Sequence, residues 1–215
     1  MHFSSVAVSQ VFAEYAQREA DERIKAAMLG TEMFARRDEF LLPIGPEAGA
    51  VLHSLILARR PARLLELGTS YGYSTLILAD AAMQVGARLV TMELADYKQA
   101  EARRLIDKAG LADSVDFRLG DAVAMLKAES GPLFDFVLLD IWKELYVPCL
   151  QAFYPRLSAE AIIAADNMVE PVMARDSART YRTALRALPE LQTLLLPIGS
   201  GIELSVRWPA GHHKL

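Results

Sequence analysis

The chain has 215 residues, of which 53% are hydrophobic and 23% are charged, a composition typical of one folded globular domain. The formal net charge is -4, and without a field of positive charge a dedicated nucleic-acid-binding protein is not expected. The single cysteine, Cys149, excludes an internal disulfide framework and a cysteine-based zinc site.

The first 40 residues are predicted to form a helical cap in two pieces, with a break near Gly30. Charged residues interrupt the apolar positions between 6 and 27, so we expect neither a signal peptide nor a membrane-spanning segment. A cytoplasmic protein without a membrane partner is therefore the expectation. Residues 41–46 contain two prolines and a glycine, which interrupt a helix, and they separate this cap from a helix predicted over 47–58.

Strand-like and helical segments alternate after residue 60. Strands are predicted at 63–67, 88–92, 115–119, 134–139, 161–165, 191–196 and 202–208, and helices at 74–83, 97–109, 122–128, 145–156 and 171–188. This alternation predicts an α/β fold with a mainly parallel sheet and helices on both faces. The last two strands resemble a hairpin that adds one antiparallel strand. Residues 209–215 are predicted to be a tail.

Ligands of such sheets bind beyond the carboxyl ends of the strands, so the residues that end each strand are the candidate site residues. Gly68 and Gly72 follow the first strand and would let a ligand approach the backbone closely. Their spacing fits neither the dinucleotide fingerprint nor a P-loop. Glu66 would repel phosphate but could anchor a cationic ligand. The alternative is a plain strand-to-helix turn.

The second and third strands also end in carboxylates. Glu93 lies about 20 residues beyond the glycine turn, a spacing that suits hydrogen bonds to ribose hydroxyls; an acid favoured at a helix N-terminus is the alternative. Asp121 could accept a hydrogen bond from an adenine amino group, cap the next helix, or do both. Together these strand ends predict a pocket for an adenosine-bearing ligand with little phosphate.

The fourth and fifth strands end in Asp140 and in Asp166-Asn167. Two carboxylates and an amide oxygen suit Mg²⁺, or Ca²⁺ or Mn²⁺, better than zinc, although two helix N-caps would give the same pattern. Lys143 could act as a general base near a cation and an apolar pocket, or be an ordinary solvated lysine. Trp142 offers a flat wall for an aromatic substrate, or simple packing.

These motifs resemble those of the cation-dependent class I O-methyltransferases, which include catechol and caffeoyl-CoA O-methyltransferases. Residues 65–74 are similar to motif I of that family, and 165–167 to its metal-binding doublet. Residues 136–143, followed by Tyr146, look most like the catechol branch, whereas 196–202 look more like the bacterial caffeoyl-CoA-type members. The similarity runs from about residue 42 to 208.

The resemblance implies a Rossmann-like class I methyltransferase fold: a seven-stranded, mostly parallel sheet with one antiparallel strand, and extra N-terminal helices. It implies one domain over 1–215 with a core at 41–208, S-adenosylmethionine as methyl donor, and a homodimer. Asp140, Asp166 and Asn167 would bind the cation, and Lys143, with Asp140, would be catalytic and take the proton of the acceptor hydroxyl. The implied donor-binding residues are Ile44, Glu66, Gly68, Ser70, Ser74, Glu93, Gly120, Asp121, Ala122, Asp140 and Trp142.

Two departures from the family pattern leave the acceptor open. Ile141 stands where the catechol enzyme has a histidine, and Glu170, Asp176 and Glu190 do not align with the glutamate that binds a catechol hydroxyl there. A small catechol-like aromatic and a hydroxyl group of a natural product therefore both remain possible methyl acceptors. Two other classes of protein remain as alternatives. The glycine spacing disfavours a nicotinamide-dependent oxidoreductase. The presence of Lys143 disfavours a non-catalytic adenosyl-ligand-binding protein, because such a protein needs no base.

Overall fold

The computed structural model of the protein describes residues 1–208, so the predicted tail at 209–215 lies outside the described residues. The α-helices are α1 (Val6–Leu29), α2 (Pro46–Arg59), α3 (Tyr73–Val85), α4 (Asp96–Lys108), α5 (Ala122–Ala128), α6 (Tyr146–Phe153) and α7 (Arg175–Arg186). The strands are β1 (Arg63–Leu67), β2 (Arg88–Glu93), β3 (Val115–Leu119), β4 (Phe134–Leu139), β5 (Leu157–Ala165), β6 (Leu191–Leu196) and β7 (Ile202–Arg207).

All seven strands form one sheet in the order β3-β2-β1-β4-β5-β7-β6. The pairs among β1 to β5 are parallel, and β7 runs antiparallel to both β5 and β6. The predicted mainly parallel sheet with one antiparallel strand is therefore confirmed. β5 begins at Leu157 rather than at 161, because Leu157 pairs with Phe134 before a register shift. Residues 158–160 are not buried, so the apolar pattern does not reveal this start.

The predicted helices are present, but three differ from the prediction. The helix predicted over 171–188 is α7 at Arg175–Arg186, preceded by a 3-10 turn at Val172–Ala174. The second piece of the cap, Gly30–Glu39, is a 3-10 helix rather than an α-helix, and none of its residues is buried. We call it the cap segment. α6 is shorter than predicted and is flanked by 3-10 turns. Pro148 lies in the first turn of α6, where an intrahelical donor is not required.

Hydrophobic cores lie on both faces of the sheet, as the alternation predicts. One is formed with α1 to α4 and the other with α5 to α7. Val8, Val11 and Tyr15 bury the first half of α1 in the former core, so this helix is packed on the sheet domain. Within residues 1–208, no helix is both long and apolar enough to cross a membrane.

The strand registers bring the predicted site residues to one edge of the sheet. Leu67, the last residue of β1, lies opposite Met92 of β2 and Leu139 of β4. Leu139 in turn lies opposite Ala165 of β5. The residues that follow these positions are the glycine turn, Asp140 and Asp166, so the tertiary structure makes neighbours of three separate sequence motifs.

Candidate active site

Gly68 begins the turn after β1 and packs against the end of β4. Its φ is 99°, and a Cβ at this position would lie 2.0 Å from the carbonyl oxygen of Asp140. The Gly68 amide donates to the carbonyl of Met92 at 3.0 Å. Glycine is therefore required by the close packing of two strand ends, in addition to the close ligand approach expected from the sequence.

Glu66 is fully buried in β1. Its Oε2 accepts hydrogen bonds of 2.6 Å from the hydroxyls of Thr75 and Thr91, whereas its Oε1 has no partner among the described residues. Burial raises the pKa of Glu66 to about 7, although the hydroxyls of Ser74, Thr75 and Thr91 oppose this shift. An unpartnered oxygen on a carboxylate that titrates near neutrality suits a cationic ligand group. Neither threonine belongs to a motif that the sequence indicated.

Glu93, which ends β2, is held by backbone amides on both sides. One oxygen accepts from the amide of Ser70 at 2.8 Å, and the other accepts from Leu94 and Ala95 at 2.9 Å each. Ser70 has a positive φ of 46°, which aims its amide at this carboxylate. Glu93 thus ties the glycine turn to the start of α4, and its ribose role stays a prediction.

Asp121 caps α5, with its Oδ1 accepting from the amide of Ala124 at 2.7 Å. The capping interpretation is therefore confirmed, while hydrogen bonding to adenine stays a prediction. Ala122, the first residue of α5, is buried, and Gly120 donates from its amide to the carbonyl of Glu93 at 2.8 Å. The ends of β2 and β3 are thereby joined.

A narrow cleft lies between the glycine turn and the residues before α2. Its lining residues are Leu41, Leu42, Pro43, Ile44, Gly68, Thr69, Ser70, Tyr71, Tyr73, Ser74 and Asp140. Five of the predicted donor-binding residues therefore line one cavity. Within residues 1–208, the other predicted donor residues lie outside this lining: Glu66, Glu93, Gly120, Asp121, Ala122 and Trp142.

Asp140 and Asp166 meet at the ends of β4 and β5, where the amide of Asp166 donates to the carbonyl of Leu139 at 3.1 Å. The Oδ1 atom of Asp166 is buried without a hydrogen-bond partner in the described residues. Burial raises the pKa of both carboxyl groups, and the charge of Asp140 raises that of Asp166 further. Two adjacent acids with a single nearby ammonium, that of Lys143, suit a bound cation, and the ligand role of Asn167 stays a prediction.

Lys143 is mostly buried beside this acidic pair. Its Nζ lies 3.8 Å from Oδ1 of Asp140 and donates hydrogen bonds to the Tyr146 hydroxyl and, at 3.2 Å, to the carbonyl of Ile141. Burial lowers the pKa of Lys143, and the negative charge of Asp140 opposes that shift. An amine with a lowered pKa can accept a proton from a hydroxyl group near neutral pH.

The cap segment contacts Trp142 through Arg37. The guanidinium carbon of Arg37 lies 4.4 Å from the centroid of the Trp142 ring, and the ring is 40% exposed. Trp142 therefore packs against Arg37 and retains a surface that a ligand can reach. This contact joins residues more than a hundred positions apart, and no motif in the sequence indicated it.

A model of the O-methyltransferase family matches residues 19–208. The chain belongs to the O-methyltransferase family. This family member is 35% identical over 144 residues to catechol O-methyltransferase B of Danio rerio, covering 64% of the chain but only 54% of the relative. It is 35% identical over 166 residues to a probable O-methyltransferase of Mycobacterium tuberculosis, covering 72% of the chain and 68% of the relative.

Solved structures place this O-methyltransferase family member in the same fold. An O-methyltransferase from Bacillus cereus in complex with SAH is 25% identical, with a TM-score of 0.74 over 92% of this chain and 90% of that one. The O-methyltransferase TomG from Streptomyces achromogenes is 22% identical, with a TM-score of 0.75 over 95% and 91%. The predicted class I methyltransferase fold and enzyme family are confirmed.

Proposed function

We propose that this chain transfers a methyl group from S-adenosylmethionine to a hydroxyl of a small aromatic acceptor, with a divalent cation bound at Asp140, Asp166 and Asn167. The observation that carries this proposal is the position of Asp140. It lines the cleft beside the glycine turn and its carboxylate lies 3.8 Å from Nζ of Lys143. It also follows β4, which pairs with β5, the strand that Asp166 follows. One residue therefore links the donor, cation and base positions.

The charged groups around the cleft suit the proposed donor. S-Adenosylmethionine carries an ammonium group and a sulfonium but no phosphate, and the unpartnered Oε1 of Glu66 suits an ammonium group. The backbone of Gly68 has no side chain to obstruct the reacting group. Glu93, already oriented by the Ser70 amide, would accept from the ribose hydroxyls. The SAH complex of the Bacillus cereus relative supports this donor.

The cation site fits a hard metal such as Mg²⁺, because all three predicted ligands are oxygens. A bound divalent cation would lower the pKa of an acceptor hydroxyl and hold it in place. Asp140 and Asp166 would bind the cation in their ionised forms, although burial raises both pKa values in its absence. Cation binding and loss of their protons are therefore linked.

Lys143 would take the acceptor's proton at Nζ. For this it must be neutral, and its burial favours the neutral amine. The acceptor oxygen would then bond to the donor methyl carbon as the carbon–sulfur bond breaks, leaving S-adenosylhomocysteine. Fixing donor and acceptor in line supplies a large part of the rate acceleration.

A second acceptor class is a hydroxyl group that is not part of a catechol. Ile141, which is partly buried next to Asp140, offers no polar contact where the catechol enzyme has a histidine. In addition, Glu170 and Asp176 are more than half exposed, with Glu170 paired to Arg175, so neither is held in the site. The homodimer and the cytoplasmic location stay predictions.

Calorimetric titration of S-adenosylmethionine into metal-free protein tests the proposal. It is repeated with Mg²⁺ and 3,4-dihydroxybenzoate while S-adenosylhomocysteine is measured by chromatography. Donor binding with metal-dependent product formation is the expected result. Donor binding without product for any of a panel of catechols and monophenols would contradict the acceptor and metal assignments. Absence of donor binding would overturn the methyltransferase proposal as a whole.

A further inference from the structure

The Arg37 side chain has no directly bonded acid among residues 1–208, although the charge of the neighbouring Asp38 acts on it through space. In the described part of the chain, Arg37 forms no salt bridge and its side chain donates no hydrogen bond, whereas the adjacent Arg36 donates two hydrogen bonds of 2.8 Å to Glu39. The Arg37 guanidinium instead stacks on Trp142 at 4.4 Å. Stacking on a ring leaves the in-plane N–H groups of a guanidinium free to donate.

Arg37 is held in place by its neighbour rather than by an ion pair of its own. The Asp38 carboxylate accepts hydrogen bonds from the ammonium of Lys98 and, at 2.5 Å, from the Tyr97 hydroxyl, both on α4. These bonds lower the pKa of Asp38, so the carboxylate is ionised and already engaged. The Asp38 carbonyl also accepts from the hydroxyl of Tyr71 at 3.2 Å. The cap segment is thus anchored to the donor-binding side of the site.

The function of the Arg37 guanidinium follows from its location. Trp142 lies between Asp140 and Lys143 in the chain, the two residues assigned to the cation and to the acceptor proton. The exposed guanidinium on Trp142 is therefore at the outer rim of the acceptor position. A planar fork of N–H donors matches a carboxylate, which accepts two parallel hydrogen bonds.

We propose that Arg37 is a specificity-determining residue that selects acceptors carrying a carboxylate, that is, hydroxylated aromatic acids. This inference rests on the proposed function, because it needs the acceptor to lie between Trp142 and Lys143. The acceptor's carboxylate pairs with the guanidinium at the rim while its hydroxyl faces Lys143. A cationic catecholamine is disfavoured, since its ammonium meets the positive charge of Arg37.

The test compares 3,4-dihydroxybenzoate with its neutral counterpart, 3,4-dihydroxybenzamide. Methylation of both is measured for the native protein, for Arg37→Gln, and for Arg36→Gln as the matched control, since Arg36 is adjacent but paired with Glu39. We expect Arg37→Gln to lower kcat/KM for the acid about tenfold, the equivalent of one charge-assisted hydrogen bond, mainly through KM. Its kcat/KM for the amide is expected to stay unchanged, as are both values for Arg36→Gln.

Equal losses for acid and amide in Arg37→Gln would overturn the proposal and indicate a general packing role. Unchanged values for the acid would overturn it as well. A binding measurement separates this outcome from failure of the proposed function. The chain has two tryptophans, so Trp208→Phe leaves Trp142 as the sole tryptophan, whose emission is excited selectively over that of the tyrosines. Quenching by the acid, weakened about tenfold in Arg37→Gln, would support the inference even if no methylation occurred; absence of quenching by the acid would contradict it.

Discussion

The phenol oxygen of Tyr146 connects Lys143 to the ends of two strands. It accepts a hydrogen bond from the Lys143 ammonium and lies 3.0 Å from the carbonyl oxygen of Leu139 and 3.1 Å from that of Asp166. The hydroxyl can donate to one of these carbonyls while it accepts from the lysine. Tyr146 therefore sets the position of the proposed base relative to the ends of β4 and β5, where the cation is proposed to bind.

Removing this hydroxyl should disturb catalysis more than folding. For Tyr146→Phe we expect kcat to fall about tenfold, because the base loses a partner that orients it, and stability to fall by about 1 kcal/mol for the lost buried hydrogen bond. Tyr154→Phe is the matched control, since the Tyr154 hydroxyl bonds to Glu190 away from the site. Equal kcat losses in the two variants would argue against the positioning role.

Lys143→Ala should nearly abolish methyl transfer without affecting donor binding. Loss of a general base typically lowers the rate about 10²–10⁴-fold, and Lys143 does not line the donor cleft. Turnover and calorimetric donor affinity are measured side by side, with Lys127→Ala on the exposed surface of α5 as the control. Turnover close to native in Lys143→Ala would show that another group takes the proton.

Donor affinity should rise with pH around neutrality because of Glu66. Burial raises its pKa to about 7, so the free protein below that pH holds a neutral carboxyl, which must lose its proton to pair with the donor ammonium. Below the pKa, the affinity is expected to increase up to about tenfold per pH unit. In Glu66→Gln this dependence should be much flatter. An unchanged slope in that variant would assign the titration to another group.

The same raised pKa should make the donor-free protein less stable as pH increases. The unfolded chain ionises Glu66 near 4.5, whereas the folded chain holds the proton up to about pH 7. The native protein binds the extra proton, so the contribution of this group to stability falls between these values and is constant above them. Denaturant unfolding of native protein and Glu66→Gln across this range measures the difference, which should grow with pH in favour of the variant.

Asp166→Asn should separate metal binding from stability. Without a cation, two buried acids with raised pKa values destabilise the fold, so we expect the variant to melt at a higher temperature than the native protein in EDTA. Mg²⁺ should raise the Tm of the native protein and not that of the variant. Asp113→Asn, at an exposed position, is the control. A Mg²⁺ response retained in Asp166→Asn would place the cation elsewhere.

Gly68→Ala and Gly86→Ala distinguish packing from backbone strain. Both glycines have positive φ, 99° and 74°, so alanine is strained by about 1–2 kcal/mol at either position. A Cβ at Gly86 meets nothing within 4 Å, whereas one at Gly68 would lie 2.0 Å from the Asp140 carbonyl oxygen. Chemical denaturation should therefore show a clearly larger loss for Gly68→Ala. Equal losses would mean that the turn can move away from β4.

Most of the secondary structure was predictable because its signals are local. The apolar run of β4 and the turn glycine at Gly68 specify their elements within a few residues. The same local signals missed the start of β5, since its first pairing, Leu157 with Phe134, is separated from the rest by a register shift. The 3-10 form of the cap segment was also missed, because its residues are not buried and leave no periodic pattern.

The sequence alone determined which groups are candidates for the chemistry: residues such as Asp140, Asp166 and Lys143 stand next to strand ends, and strand ends are visible in the local pattern. Only the tertiary structure decided what surrounds them. Tyr146 on Lys143 and Thr91 on Glu66 are set by how strands and helices pack. The stacking of Arg37 on Trp142 joins the cap to the far side of the sheet. Such contacts depend on three-dimensional packing between distant segments, which hydrophobic periodicity does not encode.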